Sequence, residues 1–305
     1  MSAGLRNIHL TLLRAGPWLA IAGLCVLAGC AARDYTAFFP AGSIAAHERD
    51  LMLITLGLLL FVFVPVVVLT LFFVWHYRAS NTQADYRPGW GHSTILELFL
   101  WGGPIVIIII LGVLTWYSTH QLDPYRPLAA ADDRPTLQID AIGLDWKWLF
   151  VYPDYGVASV NEIALPVNRP VRLRLTSDTV MMGFMIPALG SQIMVMSGMQ
   201  TRLHLDANQP GSYFGKNYQY SGDGFADEQF QAIVLSQNGF DAWIERVRST
   251  GQPLDADRYT TLARPSHDHR IEYFAPVQAD LFDDVIGLYH RGQPRDQLTL
   301  LEPRP

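Results

Sequence analysis

The chain has 305 residues, half of them hydrophobic, and a formal net charge of −6. This acidic balance argues against a nucleic acid partner. Its two cysteines, Cys25 and Cys30, both lie near the N-terminus, so neither a disulfide framework nor a cysteine-rich metal site is expected further along. The length allows one large domain or two smaller modules.

The N-terminus is typical of a bacterial lipoprotein leader. Two arginines precede an apolar stretch over residues 17–27, which is too short to span a bilayer and typical of a secretory signal. The stretch ends in Leu-Ala-Gly-Cys, which matches the lipobox pattern. We therefore predict a signal peptide over residues 1–29 and lipid attachment at Cys30, with a plain signal anchor as the alternative.

Two long apolar runs follow. The first, over residues 51–75, is almost free of charge, and the second, over residues 95–117, has Glu97 as its only charged group. Each exceeds the roughly 20 residues needed to cross a hydrocarbon core. We predict two transmembrane helices, over residues 48–76 and 94–118.

A lipid on Cys30 would set the topology of these helices. Residues 30–47 would lie in the periplasm, the loop over residues 77–93 in the cytoplasm, and everything after the second helix in the periplasm. The loop carries two arginines and one aspartate, a weak positive-inside excess. The prediction is a lipid-anchored protein of the bacterial inner membrane with both ends periplasmic.

Beyond residue 135, short β-branched and aromatic segments are separated by turn residues. Closely spaced strands of this kind predict an antiparallel sandwich, which we place over residues 119–237. The periodicity becomes helical at residues 241–248, and a polar tail with scattered aromatic residues follows, so we predict a C-terminal extension over residues 238–305. The strands are predicted over residues 136–142, 146–152, 171–176, 200–205 and 229–235.

Several motifs resemble subunit II of the haem–copper oxidases, in the same order along the chain. Asp145-Trp146-Lys147-Trp148 is similar to that family's aromatic Trp-x-Trp strand, and Glu97 stands where its second transmembrane helix begins. Residues 177–187 resemble its first copper-ligand loop, residues 189–192 the strand after that loop, and residues 213–234 its second ligand loop. Residues 255–289 resemble the aromatic-rich extension of its quinol-oxidising members. The resemblance implies a two-helix transmembrane hairpin, an all-β cupredoxin-like sandwich and a short helical, aromatic-rich C-terminal extension.

The residues at the family's dinuclear copper positions cannot hold copper. Such a centre uses two bridging thiolates, two imidazoles, a thioether and a backbone carbonyl, and soft thiolates are essential to it. In this sequence the histidine positions are Met182 and Glu228, the cysteine positions Tyr220 and Gly224, the carbonyl-donating glutamate Gly222 and the methionine Gln231. We expect no metal and no other cofactor in this chain.

The resemblance and these replacements together predict a non-redox subunit II of a proton-pumping terminal ubiquinol oxidase. This complex would convert ubiquinol and oxygen to ubiquinone and water, with the haems and copper in subunit I. No catalytic residue is expected in this chain. Its partners would be subunit I, further small membrane subunits, membrane lipid and ubiquinol through the complex, but not cytochrome c.

Glu97 is predicted to form the entrance to a proton route into subunit I, as the resemblance implies. A carboxylate inside a membrane span is costly, so it indicates function. The alternative is an interfacial acid paired with a neighbour such as His92.

Other side chains receive structural interpretations. Trp146 and Trp148 are expected to pack in the sandwich or contact subunit I, and His204 to be structural. His267 and His269 are expected in a solvated loop.

A methionine-rich stretch leaves one alternative open. A Cu(I) site is conceivable, but we expect core packing. The six residues are Met181, Met182, Met185, Met194, Met196 and Met199. Two other functions are considered: a membrane-anchored, cupredoxin-like lipoprotein in copper handling or oxidase assembly, and a cytochrome c oxidase subunit, against which the missing ligands argue.

Overall fold

A computed structural model describes residues 38–85, 89–128 and 134–290, with the side chain of Ser191 left out. The predicted signal peptide and Cys30 lie outside these residues.

Two long helices, α1 (Ser43–His76) and α2 (Thr94–Gln121), form a hairpin. Both are long and apolar enough to cross a membrane, and neither buries its most apolar stretch within the chain. The side chain of Ser93 caps α2 by accepting a hydrogen bond from the backbone N–H of Leu96. The helices extend past the predicted bounds, since α1 begins at Ser43 rather than residue 48 and α2 ends at Gln121 rather than residue 118.

The start of α1 is fastened to the β-domain. Both the backbone N–H and the hydroxyl of Ser43 donate to Asp206 Oδ1, over 2.9 and 2.8 Å. A side-chain carbon on Gly42 would lie 2.4 Å from the backbone oxygen of Asp206, so only glycine permits this approach. The Asp206 carboxylate thus satisfies one of the orphan N–H donors at the N-terminus of α1, that of Ser43, which favours the earlier start.

Twelve strands of the described residues form two sheets packed face to face. The seven-stranded sheet has the order β11-β12-β3-β2-β1-β5-β8 and the five-stranded sheet the order β4-β10-β9-β6-β7. The strands are β1 (Leu137–Leu144), β2 (Lys147–Tyr152), β3 (Val157–Val160), β4 (Glu162–Pro166), β5 (Val171–Ser177), β6 (Met182–Ile186), β7 (Gly190–Val195), β8 (Thr201–Leu205), β9 (Gly211–Asn217), β10 (Gln229–Leu235), β11 (Gln252–Leu254) and β12 (Glu272–Val277).

The prediction of a β-sandwich is confirmed, but the prediction that it is antiparallel is wrong for two strand pairs. β1 pairs with β5 and β4 with β10 in parallel, as does β11 with β12 in the C-terminal extension. Each of these pairs is joined by a long connection, which parallel pairing requires. The alternation of apolar and polar residues along one strand does not show which other strand pairs with it or in which direction, so the sequence could not predict these parallel pairs.

The β1–β2 hairpin turns through Asp145 and Trp146, between the paired residues Leu144 and Lys147. Trp146 has a φ of 65°, so it belongs to the turn and not to the strand predicted over residues 146–152. A two-residue hairpin loop requires left-handed backbone conformations. The turn therefore directs Trp146 away from the sheet, whereas Trp148 is buried between the sheets.

The interior between the sheets is rich in aromatic residues. The rings of Phe184 and Phe230 stack with centroids 5.2 Å apart, and the Trp148 ring packs edge-on against Phe184 at the same separation. Aromatic pairs at such distances add to the stability gained by burying their apolar area.

The part of the C-terminal extension after residue 251 packs against the outer face of the seven-stranded sheet, whereas its first helix, over residues 237–250, packs into the core between the sheets. It contains the helices α3 (Gln237–Thr250), α4 (Ala256–Leu262) and α5 (Leu281–His290), and also β11 and β12, of which β12 pairs with β3. The buried carboxylate of Asp178, in the loop after β5, accepts hydrogen bonds from the hydroxyls of Tyr259 at 2.9 Å and Tyr289 at 3.3 Å. The extension is thus integrated into the domain by both strand pairing and buried hydrogen bonds.

Candidate functional site

The six positions of the resembling copper site lie in very different surroundings. Met182 is fully buried in the core, whereas Tyr220 is 70% exposed. Gln231, exposed on β10, donates a hydrogen bond to Ser212 Oγ at 2.8 Å. Gly222, Gly224 and Glu228 lie in the β9–β10 loop, residues 218–228. Met182 and Gln231 thus contribute to packing and to surface hydrogen bonding, respectively.

Trp146 covers Gly224, which the resemblance predicts to stand at a bridging-cysteine position. A side-chain carbon built on Gly224 would lie 2.3 Å from the Cδ2 atom of Trp146, far inside van der Waals contact. The indole N–H of Trp146 also donates to the backbone oxygen of Ser221 over 3.2 Å. Of the two roles predicted for Trp146, packing between the sheets is not observed, because its indole lies over this loop, and contact with subunit I stays a prediction. Trp148 packs between the sheets as predicted.

Glu228, at the second histidine position, is a fully buried acid. Its Oε2 atom accepts hydrogen bonds from Asn217 Nδ2 at 2.8 Å and Ser221 Oγ at 2.7 Å. Its Oε1 atom has no hydrogen-bond partner among the described residues. The side chain therefore joins the end of β9, the β9–β10 loop and the start of β10.

Burial raises the pKa of Glu228 to about 7, because a charged carboxylate loses its hydration there. The hydrogen bonds from Ser221 and Asn217 oppose this rise, the charge of Asp145 adds to it, and that of Lys147 lowers it slightly. A carboxyl of this pKa exchanges a proton near neutral pH.

These residues do not fit a dinuclear copper centre. The sequence has no cysteine after Cys30, so no thiolate could bridge two copper ions. The space beside Gly224 is filled by Trp146, and the carboxyl of Glu228 is held by Asn217 and Ser221. Within the described parts of the chain, no group of three His, Cys, Asp or Glu side chains could hold a metal ion.

His204, His267 and His269 have different surroundings. His204 is buried with Nδ1 3.0 Å from the backbone oxygen of Pro124, which agrees with a structural role. His267 is exposed, and its ring lies 4.5 Å from that of Trp146. The prediction of a solvated loop is wrong for His269, whose side chain is only 18% exposed and whose pKa is lowered by burial.

The loop around His269 folds inward because Lys147 is buried beneath it. Lys147 Nζ donates to the backbone oxygen of Arg264 at 2.8 Å and to Ser266 Oγ at 2.7 Å. Ser266 in turn lies 3.0 Å from His269 Nδ1. Covering the ammonium group thus requires the loop to pack on the β1–β2 turn.

The predicted core packing of the methionine-rich stretch is wrong for most of its members. Met182 is fully buried and Met185 half-buried. The four exposed residues, between 36% and 55% exposed, are Met181, Met194, Met196 and Met199. Their exposure follows from their position on the outer face at the edge strand β7 and in the flanking loops.

Glu97 lies in the first turn of α2. Its backbone N–H donates to the Ser93 carbonyl over 2.9 Å, and its carboxylate lies 3.3 Å from His92 Nε2. A carboxylate in the first turn interacts favourably with the helix dipole. The side chains of His92 and Glu97 are 70% and 47% exposed, so both are accessible on the surface of the isolated chain.

Three site features escape sequence reasoning. Asn217 and Ser221 are ordinary loop-flanking polar residues in the sequence, and only a search for partners of a buried Glu228 would single them out. The position of Trp146 over Gly224 depends on the approach of residues far apart in the chain, for which no local signal exists.

Two segments of the chain match known protein families. Residues 157–236 match the family described as the periplasmic domain of cytochrome c oxidase subunit II, and residues 248–293 match the COX Aromatic Rich Motif.

Three related proteins match this chain over most of its length. Cytochrome bo(3) ubiquinol oxidase subunit 2 of Pseudomonas aeruginosa is 47% identical over 91% of this chain and 83% of its own length. Ubiquinol oxidase subunit 2 of Acetobacter aceti is 43% identical over 90% and 88%, and quinol oxidase subunit 2 of Bacillus subtilis is 32% identical over 79% and 75%. The chain therefore belongs to the ubiquinol oxidase subunit 2 family, whose periplasmic domain is related to that of cytochrome c oxidase subunit II.

Proposed function

We propose that this chain is the non-redox second subunit of a proton-translocating ubiquinol oxidase, which reduces oxygen to water. The observation that carries the proposal is the filled copper region, in which Trp146 occupies the space beside Gly224 and Glu228 is bound by protein donors. Electrons from ubiquinol would reach the haems and copper of subunit I without passing through this chain. Cytochrome c would not be a donor.

The membrane helices support a role in docking. Their apolar side chains are almost all exposed within the chain, so lipid or other helices must cover them. Subunit I and small membrane subunits would supply part of that cover. We propose a periplasmic β-domain, a cytoplasmic loop between the helices, and a lipid on Cys30.

Both helices are joined to the β-domain by buried or half-buried contacts. The start of α1 is fixed by Asp206, and the segment after α2 is fixed where the backbone oxygen of Pro124 accepts from the His204 backbone N–H at 3.0 Å. Docking of the hairpin on subunit I would therefore also position the domain.

Glu97 would serve as the entrance for protons from the cytoplasm. Its place in the first turn of α2, beside His92, supports this role, because an accessible carboxylate next to an imidazole can receive a proton and pass it on. If Glu97 and His92 formed only an ion pair, their charges would suffice. Proton uptake also requires that Glu97 can release the proton it has bound.

The test is purification of the native complex through an affinity tag on this chain. We expect a haem-containing subunit to co-purify and the complex to consume oxygen with ubiquinol as sole donor. Recovery of the chain without any haem protein would refute the proposal.

A further inference from the structure

We infer that the exposed methionines at the β6–β7 edge form a binding site for a soft monovalent cation, with Cu(I) as its natural ligand. Six of the chain's eight methionines lie between residues 181 and 199. The inference concerns this surface alone and does not depend on which electron donor the complex uses.

The pattern along β7 separates two kinds of side chain. The inward residues Ile193 and Val195 are aliphatic and at most 9% exposed, whereas Met194 and, directly after the strand, Met196 carry thioethers and are 36% and 39% exposed. Outward positions of an exposed edge strand are usually polar or charged. Thioethers at these positions serve neither the core nor the solubility of the edge.

The pairing of β6 and β7 brings Met181 to the same group. Gly183 lies opposite Met194 and Met182 opposite Val195. Met181 directly precedes Met182 and Met196 directly follows Val195, so both lie beside the last pair of this ladder, and the hydroxyl of Ser197 donates to the backbone oxygen of Thr179, which joins the two segments.

Met181, Met194 and Met196 can therefore converge on one ion. Residues directly opposite each other in a sheet have Cβ atoms about 5 Å apart, and same-face neighbours along a strand are spaced by about 7 Å. Methionine has three flexible torsions beyond its Cβ atom, so these spacings suit a shared ligand. Met199 lies beside them, because its backbone N–H donates to the Met196 carbonyl over 3.3 Å.

The donor set selects the ion. Neutral, soft thioethers favour Cu(I) and disfavour hard cations such as Mg²⁺ or Ca²⁺, which require oxygen ligands. A purely apolar docking surface for another protein would be served equally well by leucine, which has a similar volume but no sulfur donor. Replacing methionine with leucine thus separates the two uses of this surface.

The experiment is an anaerobic competition between the full-length chain in detergent and a chromophoric Cu(I) chelator. We expect the wild-type chain to withdraw one equivalent of Cu(I) and X-ray absorption to give a sulfur-only first shell. The triple variant Met181→Leu, Met194→Leu and Met196→Leu should bind at least tenfold more weakly. Met52→Leu, which removes an exposed thioether from α1, should bind as the wild type does.

Circular dichroism and the thermal unfolding midpoint of the triple variant verify that it is folded. No competition by the wild-type chain, or equal affinity in the folded triple variant, would overturn the inference. Equal affinity combined with weaker recovery of subunit I by the triple variant would instead assign the surface to protein docking.

Discussion

The indole of Trp146 lies where a side chain on Gly224 would have to be, 2.3 Å from an ideally placed Cβ atom. In a copper-binding relative a cysteine is expected at the position of Gly224. The placement of the indole therefore fills the space beside residue 224 with protein and leaves no room there for a longer side chain.

The first prediction concerns Gly224→Ala. The φ of residue 224 is −92°, which any residue tolerates, so the cost arises from the clash with Trp146 and not from the backbone. Overpacking of this kind costs about 1–3 kcal/mol. The measurement is the free energy of unfolding of the full chain in mild detergent.

A double-mutant cycle with Trp146→Ala provides the control for this prediction. Once the indole is gone, Gly224→Ala should cost less, and the coupling between the two changes should exceed about 0.5 kcal/mol. If the free-energy changes of the two single variants simply added in the double variant, Trp146 would not be the group that limits the space at residue 224.

The second prediction concerns the pH dependence caused by Glu228. Its pKa rises from 4.5 to about 7 on folding, so the native state binds the proton more tightly than the unfolded state does. The associated stability is fully present below pH 4.5 and is lost as the pH rises through about 7. The total is on the order of 3 kcal/mol.

Glu228→Gln tests this dependence, because glutamine can still accept from Asn217 and Ser221 but carries no charge. The variant should be less sensitive to pH between 4.5 and 7 and more stable than the wild type above that range. Burial also raises the pKa of Asp140, so the informative quantity is the difference between the two proteins. Parallel stability curves for the two proteins would contradict the assignment.

The third prediction concerns Glu97. In the assembled complex, Glu97→Gln should lower ubiquinol-dependent turnover several-fold without loss of haem, because the amide cannot accept and release a proton. Glu97→Asp should retain more activity, and Asp50→Asn, at the other end of the hairpin, should behave as the wild type. Full turnover and proton translocation in Glu97→Gln would remove this residue from the proton route.

The fourth prediction concerns the attachment of the C-terminal extension. Tyr259→Phe removes a 2.9 Å hydrogen bond to the buried carboxylate of Asp178 and should lower the free energy of unfolding by about 1.5–3 kcal/mol. Tyr213→Phe, whose hydroxyl donates to a backbone oxygen at the exposed Gln209, is the matched control and should have little effect. If both variants lost a similar free energy of unfolding, the hydrogen bond to Asp178 would stabilise the protein no more than an exposed one does.

The sequence predicts the membrane hairpin and the sandwich that follows it, because a long apolar run can be recognised without knowledge of distant contacts. It misplaces the start of α1, since the capping carboxylate of Asp206 lies 163 residues away in the chain. The strands β3, β4, β6, β9, β11 and β12 were not predicted, and neither were the parallel pairs, because both depend on contacts between distant segments.

At the site, the copper positions are predicted from the family resemblance alone, and the chemistry of the residues at those positions argues against dinuclear copper. The surroundings of Glu228 and the outward direction of Met194 and Met196 could not be predicted, because burial of a loop acid and the facing of an edge strand are set by tertiary packing. The methionine-rich stretch is the clearest example. Its apolar composition predicts burial in the core, but the strand pairing places four of its six methionines on the surface.

The most direct test of the central claim compares two electron donors. Oxygen uptake is measured for the complex purified through a tag on this chain, once with ubiquinol and once with reduced cytochrome c at equal electron supply. The account predicts rapid uptake with ubiquinol and none above background with cytochrome c. Uptake driven by cytochrome c would contradict it, because electrons would then enter through a route that the filled region around Trp146 and Glu228 does not provide.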